Sequence, residues 1–357
     1  MWQLGRTRFA ARREVDCRRR GDYGAAVPST PPRVLVAPDS FKGTHAATAV
    51  AGALARGFEQ AGWDVDRCPV ADGGEGTMEL LAAALGARLV DVTATDALGR
   101  PVDCQIAVAG GTAIVETAQA SGLARLTEHE RDAWAASTRG TGELLLAAVA
   151  AGAREILVGV GGSATTDGGA GAIAAIEAGG GLGAARLTVL CDVACAFEDA
   201  PRIFGPQKGA DGAMVARLEA RLARLAAHLP NDPRGVRSTG AAGGLSGGLW
   251  AAFGAELRPG APAVLDALGV DERLRAAQLA VAGEGCLDEQ SFGGKVVGEL
   301  VRRARAARVP IHAVVGTCRL SRQDATRAGL AGIRTASTLA EIETAGRALA
   351  TAVRAAR

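Results

Sequence analysis

The chain has 357 residues, a formal net charge of +2, 48% hydrophobic residues and 22% charged residues. That length makes two domains the natural expectation, and the composition excludes wholesale disorder. The 49 glycines lie in discrete clusters without a triplet period, which excludes collagen; the longest uncharged stretch, 238–255, holds six of them and makes a poor membrane span.

Residues 1–32 carry seven Arg against Glu14, Asp16 and Asp22, for +4, and end in Pro28-Ser29-Thr30-Pro31-Pro32. They read as a disordered basic leader outside the fold. The acids argue against an organelle-targeting peptide, and no apolar segment marks a secretory signal. The rest of the chain carries +2 − 4 = −2, so nucleic-acid binding is not indicated.

Structure is expected from Arg33. Val34–Asp39 reads as a buried parallel strand ending in an acid, and 45–61 as an amphipathic helix with Val50, Leu54 and Phe58 on one stripe. Val65–Val70 reads as a second strand, followed by Asp72-Gly73-Gly74-Glu75-Gly76 and a helix through Leu80–Leu85, which is β-α-β-α logic. The pattern changes near 86–96. Val102, Cys104, Ile106 and Val108 then alternate with Asp103, Gln105 and Ala107, the mark of antiparallel strands. Helices at 140–151 and 211–228 and strands at 155–160 and 187–191 are expected in this middle part.

The first style returns with a strand at Leu279–Gly283, a helical stripe from Val296 to Ala304, a buried strand at Ile311–Gly316 and the capping box Thr338-x-x-Glu341. The expected fold class is α/β in two domains. A Rossmann- or flavodoxin-like parallel-sheet domain is built from both chain ends (33–86 and 271–357), with a mixed α/β domain (87–270) inserted. A cleft between them is the expected ligand site.

Cysteine and lysine usage narrow the chemistry. The seven Cys are odd in number and scattered, with no C-x-x-C, which fits a reducing cytoplasm and neither a disulfide framework nor a zinc site. Of 40 basic residues only Lys42, Lys208 and Lys295 are lysine, and each sits beside a glycine. A compact ammonium beside open backbone suits a phosphate or carboxylate as a point charge, where a guanidinium fork is too broad.

Four glycine-rich clusters follow strands or loops: 38–44, 72–77, 159–169 and 283–295. Each alone is an ordinary turn; together, with the lysines among them, they favour phosphoryl chemistry. Two known nucleotide motifs do not fit. A Walker A loop ending at Lys295 would need glycine at Glu289 and a hydroxyl residue at Val296. A dinucleotide fingerprint through Gly159, Gly161 and Ala164 lies mid-chain, with glycines where its helix must start, which discounts an NAD oxidoreductase. His45, His129, His228 and His312 lack metal spacing and read as surface or packing residues.

The clusters together resemble the class I bacterial glycerate kinases. The resemblance runs in order through APDSFKG (37–43), ADGGEGT (71–77), STRGTGEL (137–144), GVGGSATTDGGAG (159–171), CDV (191–193), FGPQKGA (204–210), TGAAGG (239–244), GEGCLDEQS and GGK (283–295). It implies ATP- and Mg²⁺-dependent phosphorylation of the small molecule D-glycerate to 2-phosphoglycerate (or 3-phosphoglycerate), with no nucleic-acid or membrane partner. The sequence departs from the family's pattern in a deletion between Gly183 and Leu187 and in a shorter loop after Asp192. A kinase of another small hydroxy acid, or a non-catalytic nucleotide- or metabolite-binding paralogue, are the alternative readings.

On this reading Asp192 is the first choice for the base that takes the acceptor proton, with Asp39 and Asp72 as rivals that could instead orient Mg²⁺. Lys42 neutralises charge on the phosphoryl group or on the substrate carboxylate. Ser40, Arg139 and Thr141 are the expected substrate contacts, Arg139 as a bidentate clamp. Gly161, Gly162, Ser163 and Thr165, with Lys208 and Lys295, are the expected ATP-phosphate contacts. The metal ligands stay open.

Overall fold

The computed structural model describes residues 31–41 and 43–355. Most of the leader and Lys42 therefore lie outside the described residues, and the expectations placed on them with it. Eleven strands are present among the described residues: β1 (Arg33–Pro38), β2 (Asp64–Arg67), β3 (Arg88–Thr95), β4 (Pro101–Ala109), β5 (Thr112–Glu116), β6 (Glu155–Gly159), β7 (Arg186–Cys191), β8 (Glu256–Pro259), β9 (Leu279–Leu287), β10 (Ile311–Cys318) and β11 (Gly332–Thr335).

They form two sheets. The first has the order β11-β10-β9-β1-β2 and is parallel throughout. Its central strands are covered on both faces, so they read as unbroken apolar runs: Val34, Leu35, Val36 and Ala37 in β1 are at most 1% exposed. The helix Ala47–Gln60 and the last helix, Leu339–Ala355, cover one face through Val50, Leu54, Phe58, Ile342 and Leu349. The last helix opens with the expected capping box: Thr338 N donates to Glu341 Oε2 at 3.1 Å and Glu341 N to Thr338 Oγ1 at 3.3 Å.

The second sheet, β3-β4-β5-β6-β7-β8, lies wholly between β2 and β9 in sequence. Its first three strands are antiparallel and β5 to β8 are parallel. The alternation at 102–108 predicts the antiparallel part; the parallel part follows from the crossover helix Arg139–Ala150 between β5 and β6.

β2 is shorter than the strand expected at Val65–Val70. It stops at Arg67; Pro69 falls on the outer side of this edge strand, where its missing N–H costs no bond to β1. The chain still follows β1, with Cys68 N donating to Val36 O at 2.8 Å and Val70 N to Pro38 O at 3.0 Å. That delivers Asp72 to the end of the sheet.

One core joins the two sheets. It runs from Leu35 and Ala37 of β1, through Met78 and Leu81 of the helix Thr77–Leu85, to Ala107, Ile114 and Leu190 of the second sheet. Val264 and Leu265 of the helix Gly260–Ala267 complete it.

Candidate active site

The order in which strands are added reverses at the centre of the first sheet. From β1 the chain moves to β2 on one side; from β9 it moves to β10 and β11 on the other. Beyond the carboxyl ends of adjacent strands at such a switch point, loops diverge and leave a crevice. β1 ends there with Pro38 opposite Gly283, and Asp39 N donates to Gly283 O at 2.9 Å, while β9 runs past the expected end at Gly283 to Leu287 beside β10.

A cavity of about 410 Å³ occupies this crevice, lined by Asp39, Ser40, Asp72, Asp288, Lys295 and Thr317 among others. A second, of about 650 Å³, shares Asp39, Ser40, Phe41, Thr44 and Asp72 with it and extends to Gly161, Gly162 and Asp192 of the second sheet's loops. The first cavity therefore belongs to the parallel sheet's own loops, and the second lies between the two sheets.

The walls are built from backbone amides and carboxylates. Asp39 Oδ1 accepts from Ser40 N at 2.6 Å, and Asp72 Oδ1 accepts from Gly74 N at 3.1 Å, which orients both carboxyl groups. The helix Ala47–Gln60 starts without a side-chain cap, and its first residues, Ala46, Ala47 and Thr48, line the larger cavity. The helix Val296–Ala307 likewise starts uncapped, with Lys295 as its N-cap residue on the smaller cavity. Uncapped N-terminal amides carry partial positive charge toward whatever fills the space.

The second sheet supplies the opposite wall. Asp192 directly follows β7, and the Gly159–Gly169 loop follows β6. The loop is held on its outer side by Leu123 N donating to Gly162 O and Ala164 N donating to Ser121 O, both at 2.8 Å. Asp167, 1% exposed, anchors its far end: its carboxylate accepts from Thr138 N and Thr138 Oγ1 at 2.9 and 2.8 Å and from Gly169 N and Gly171 N, each at 3.1 Å. Glu116, the last residue of β5, reaches across to the first sheet's side, where Met78 N donates to its Oε1 at 2.7 Å. Burial pushes the Glu116 carboxyl up, reinforced by Glu75, while the amides of residues 76–78 pull it back.

Comparison with known proteins gives the chemistry its class. The model of the glycerate kinase family matches residues 34–180 and 177–356. The chain is 36% identical over 324 residues to glycerate 2-kinase of Escherichia coli (strain K12), covering 80% of this chain and 85% of that protein. It is equally similar, with the same coverage, to glycerate kinase of Bacillus subtilis (strain 168). The crystal structure of "putative glycerate kinase 2" from Salmonella typhimurium LT2 superposes with a TM-score of 0.78 at 33% identity, covering 91% of this chain and 99% of that one. This chain belongs to the glycerate kinase family. It is a kinase, a phosphotransferase with an alcohol group as acceptor.

The residues singled out in the sequence of this kinase divide into three groups. Asp39, Ser40, Asp72, Gly161, Gly162, Asp192 and Lys295 line one or both cavities. Ser163, Thr165 and Lys208 lie behind the cavity wall, 6%, 0% and 2% exposed. Lys208 Nζ donates to Ser163 Oγ at 3.1 Å and to Thr165 O at 2.6 Å. Burial brings its ammonium down to about 8, against the opposing pull of Asp167, Asp192 and Cys195.

Arg139 and Thr141 line neither cavity. The Arg139 side chain is 58% exposed and paired with Glu143 one turn along its helix at 3.0 Å, while Thr141 is buried with its hydroxyl against Ser121 Oγ at 3.0 Å. Other lining residues carry no motif of their own. Thr317, near the end of β10, and Ser337, beyond β11, stand on the smaller cavity, and the strand-end rule is the signal that finds them. His45, which the sequence assigns to surface or packing, lines the larger cavity and bonds Ser337 O at 3.0 Å.

Proposed function

We propose that this kinase transfers the γ-phosphoryl group of ATP to the 2-hydroxyl of D-glycerate, giving 2-phosphoglycerate and ADP. The observation that carries the reading is the convergence of Asp39, Asp72 and Asp192, from three strand ends in two sheets, on one continuous space whose other wall offers Lys295 and uncapped helix starts. The family relatives named as glycerate kinases and glycerate 2-kinase support the substrate and the position of transfer.

The triphosphate lies across the part common to both cavities. Lys295 and the first amides of the helix Val296–Ala307 hold its nucleoside side, and the amides of Gly161 and Gly162 hold the transferring group. The acceptor sits in the larger cavity. Its carboxylate faces Ser40 and the start of the helix Ala47–Gln60, and its hydroxyl faces Asp192; Lys42, next to Phe41 in the sequence, is assigned as a further cation on its sequence position alone. Asp192 takes the hydroxyl proton as the oxygen bonds to phosphorus and ADP leaves.

Magnesium fits the residues present. Asp39 and Asp72 offer two carboxylates on the shared wall, and among the described residues no group of three or more metal-ligating side chains forms a cage. That is the donor set of an ion held mainly by phosphate oxygens and water. Held by Asp39 and Asp72, such an ion would neutralise charge on the transferring phosphoryl group. Asp39 and Asp72 are fixed in advance by their backbone bonds, so neither has to reorganise when the substrate arrives.

We assign the enzyme to the cytoplasm, a reading supported by the free cysteines at 68, 104, 191, 195, 286 and 318. Among the described residues no helix is long and apolar enough to cross a membrane.

The test is direct. Purified protein with ATP, Mg²⁺ and D-glycerate forms ADP, and phosphorus NMR of the product shows the ester on the 2-position. Absence of turnover with D-glycerate, alongside turnover with another small hydroxy acid, replaces the substrate but keeps the site.

A further inference from the structure

Among the described residues, Lys208 is the most deeply buried cation near the site. It ends the short turn Pro206–Lys208 and is followed by Gly209 at φ +91°, where a Cβ would stand 2.6 Å from Arg131 O. This backbone drives the lysine inward, beneath the loop whose outer face lines the larger cavity. The residue is 2% exposed and absent from the lining of both cavities, and its ammonium is bonded to Ser163 Oγ and Thr165 O. Three groups from separate segments act on it electrostatically: Asp167 from the loop itself, Asp192 from the end of β7, and Cys195 from the segment beyond it. A cation that contacts neither cavity reaches a ligand only through the groups it holds.

We propose that Lys208 is a positioning residue of the phosphoryl-transfer site, which fixes the 161–165 loop from beneath and sets the field at Asp192 without touching a phosphate. The proposal rests on the reading that this loop and Asp192 serve the transfer. The same placement explains why a chain whose basic residues are nearly all Arg keeps Lys here. A guanidinium is too broad for an enclosed site whose two acceptors lie 3.1 and 2.6 Å from a single nitrogen.

The pH behaviour follows. With its folded pKa near 8, lowered from 10.5, Lys208 binds fewer protons in the folded than in the unfolded protein between those values. Folding stability from this group therefore rises with pH across that window. The charge facing Asp167, Asp192 and Cys195 is lost over the same window, so kcat falls as pH passes 8. Packing alone gives the first trend without the second.

Three measurements decide it. In Lys208→Met, which keeps the volume but removes charge and donors, kcat falls about 10²-fold while KM for ATP stays within about threefold of wild type. Lys208→Arg does not restore it. Hydrogen exchange by mass spectrometry shows loss of protection in 161–166 but not in β6. Should the variants fail to fold, the wild-type enzyme serves: protection in 161–166, corrected for intrinsic exchange, drops between pH 7 and pH 9.5 while β6 holds. A KM for ATP raised tenfold or more with kcat kept, partly restored by Arg, makes Lys208 a phosphate ligand and overturns the proposal. Unchanged kinetics with a lowered Tm overturns it as well. A wild-type enzyme inert toward D-glycerate overturns the proposed reaction, and the exchange data still decide whether Lys208 holds the loop.

Discussion

At the scale of single residues, position relative to strand ends separates the chemistry from the scaffolding. Asp39, Asp72 and Asp192 each follow the run of a parallel strand, and all three line the space between the sheets. Asp192→Asn keeps the shape and removes the proton acceptor; kcat for D-glycerate falls about 10²–10⁴-fold while the Tm changes little. A near-normal kcat transfers the role to Asp39 or Asp72. These carboxylates are legible in the sequence because a strand end followed by an acid is a local pattern. Arg139 is a harder case: it opens a helix and looks available, yet Glu143 lies four residues on and takes the guanidinium. Lys208 is harder still. Its flanking glycines suggest an open turn, and only the tertiary fold shows that the turn faces inward.

At the scale of elements, the joint between helices is held by one buried guanidinium. Arg303, 6% exposed, bonds Glu299 on its own helix at 2.7 Å and Asp266 and Asp271 on the two preceding helices at 2.7 and 3.3 Å, and donates to Pro262 O at 3.1 Å. Burial pushes the Glu299 carboxyl up, but bonds from Arg302 and Arg303 outweigh this and hold it below its usual value. Its contribution to stability is therefore complete above the unfolded carboxyl range and is lost as pH falls through the folded value. Arg303→Leu leaves Glu299 half-paired and lowers unfolding stability by about 2–4 kcal/mol at neutral pH, read by urea titration, with a smaller loss once pH has fallen through the folded Glu299 value. The helices and central strands are legible here because apolar periodicity is strong, as in Val296, Val297, Leu300, Val301 and Ala304. In the parallel half of the second sheet the crossover helix at 140–151 is legible but the pairing of the strands is not, since short apolar strands carry no mark of their neighbour's direction.

At the scale of the whole molecule, the two sheets meet through backbone as well as side chains. Gly161 of the second sheet's loop lies against Gly74 of the first sheet's loop, and a Cβ there would overlap Gly74 Cα and stand 3.2 Å from its carbonyl carbon. Gly73 also lies close to Gly260 Cα and Leu190 O, each at 3.0 Å from its would-be Cβ. Part of the glycine clustering that reads as phosphate cradles is thus a requirement for close approach. Gly161→Ala forces the two loops apart, with a stability loss of about 1–3 kcal/mol and a loss of kcat beyond what the lower Tm explains. Retained kcat and Tm would show that the loops yield without consequence. The two-ended origin of the parallel sheet also shapes how the chain is made. Arg33 N donates to a side chain 245 positions later, at Gln278, and β1 pairs with β9 immediately beyond it. At ribosomal speeds of about 5–20 residues per second, the apolar Val34–Ala37 strand waits about 12–50 s for its partner to emerge. Chains released before Leu279 leave that edge bare, and in ultracentrifugation they pellet where the finished protein does not. Yield in a cell is accordingly governed by translation rate and chaperone supply during those seconds, before the enzyme has any thermodynamic stability of its own.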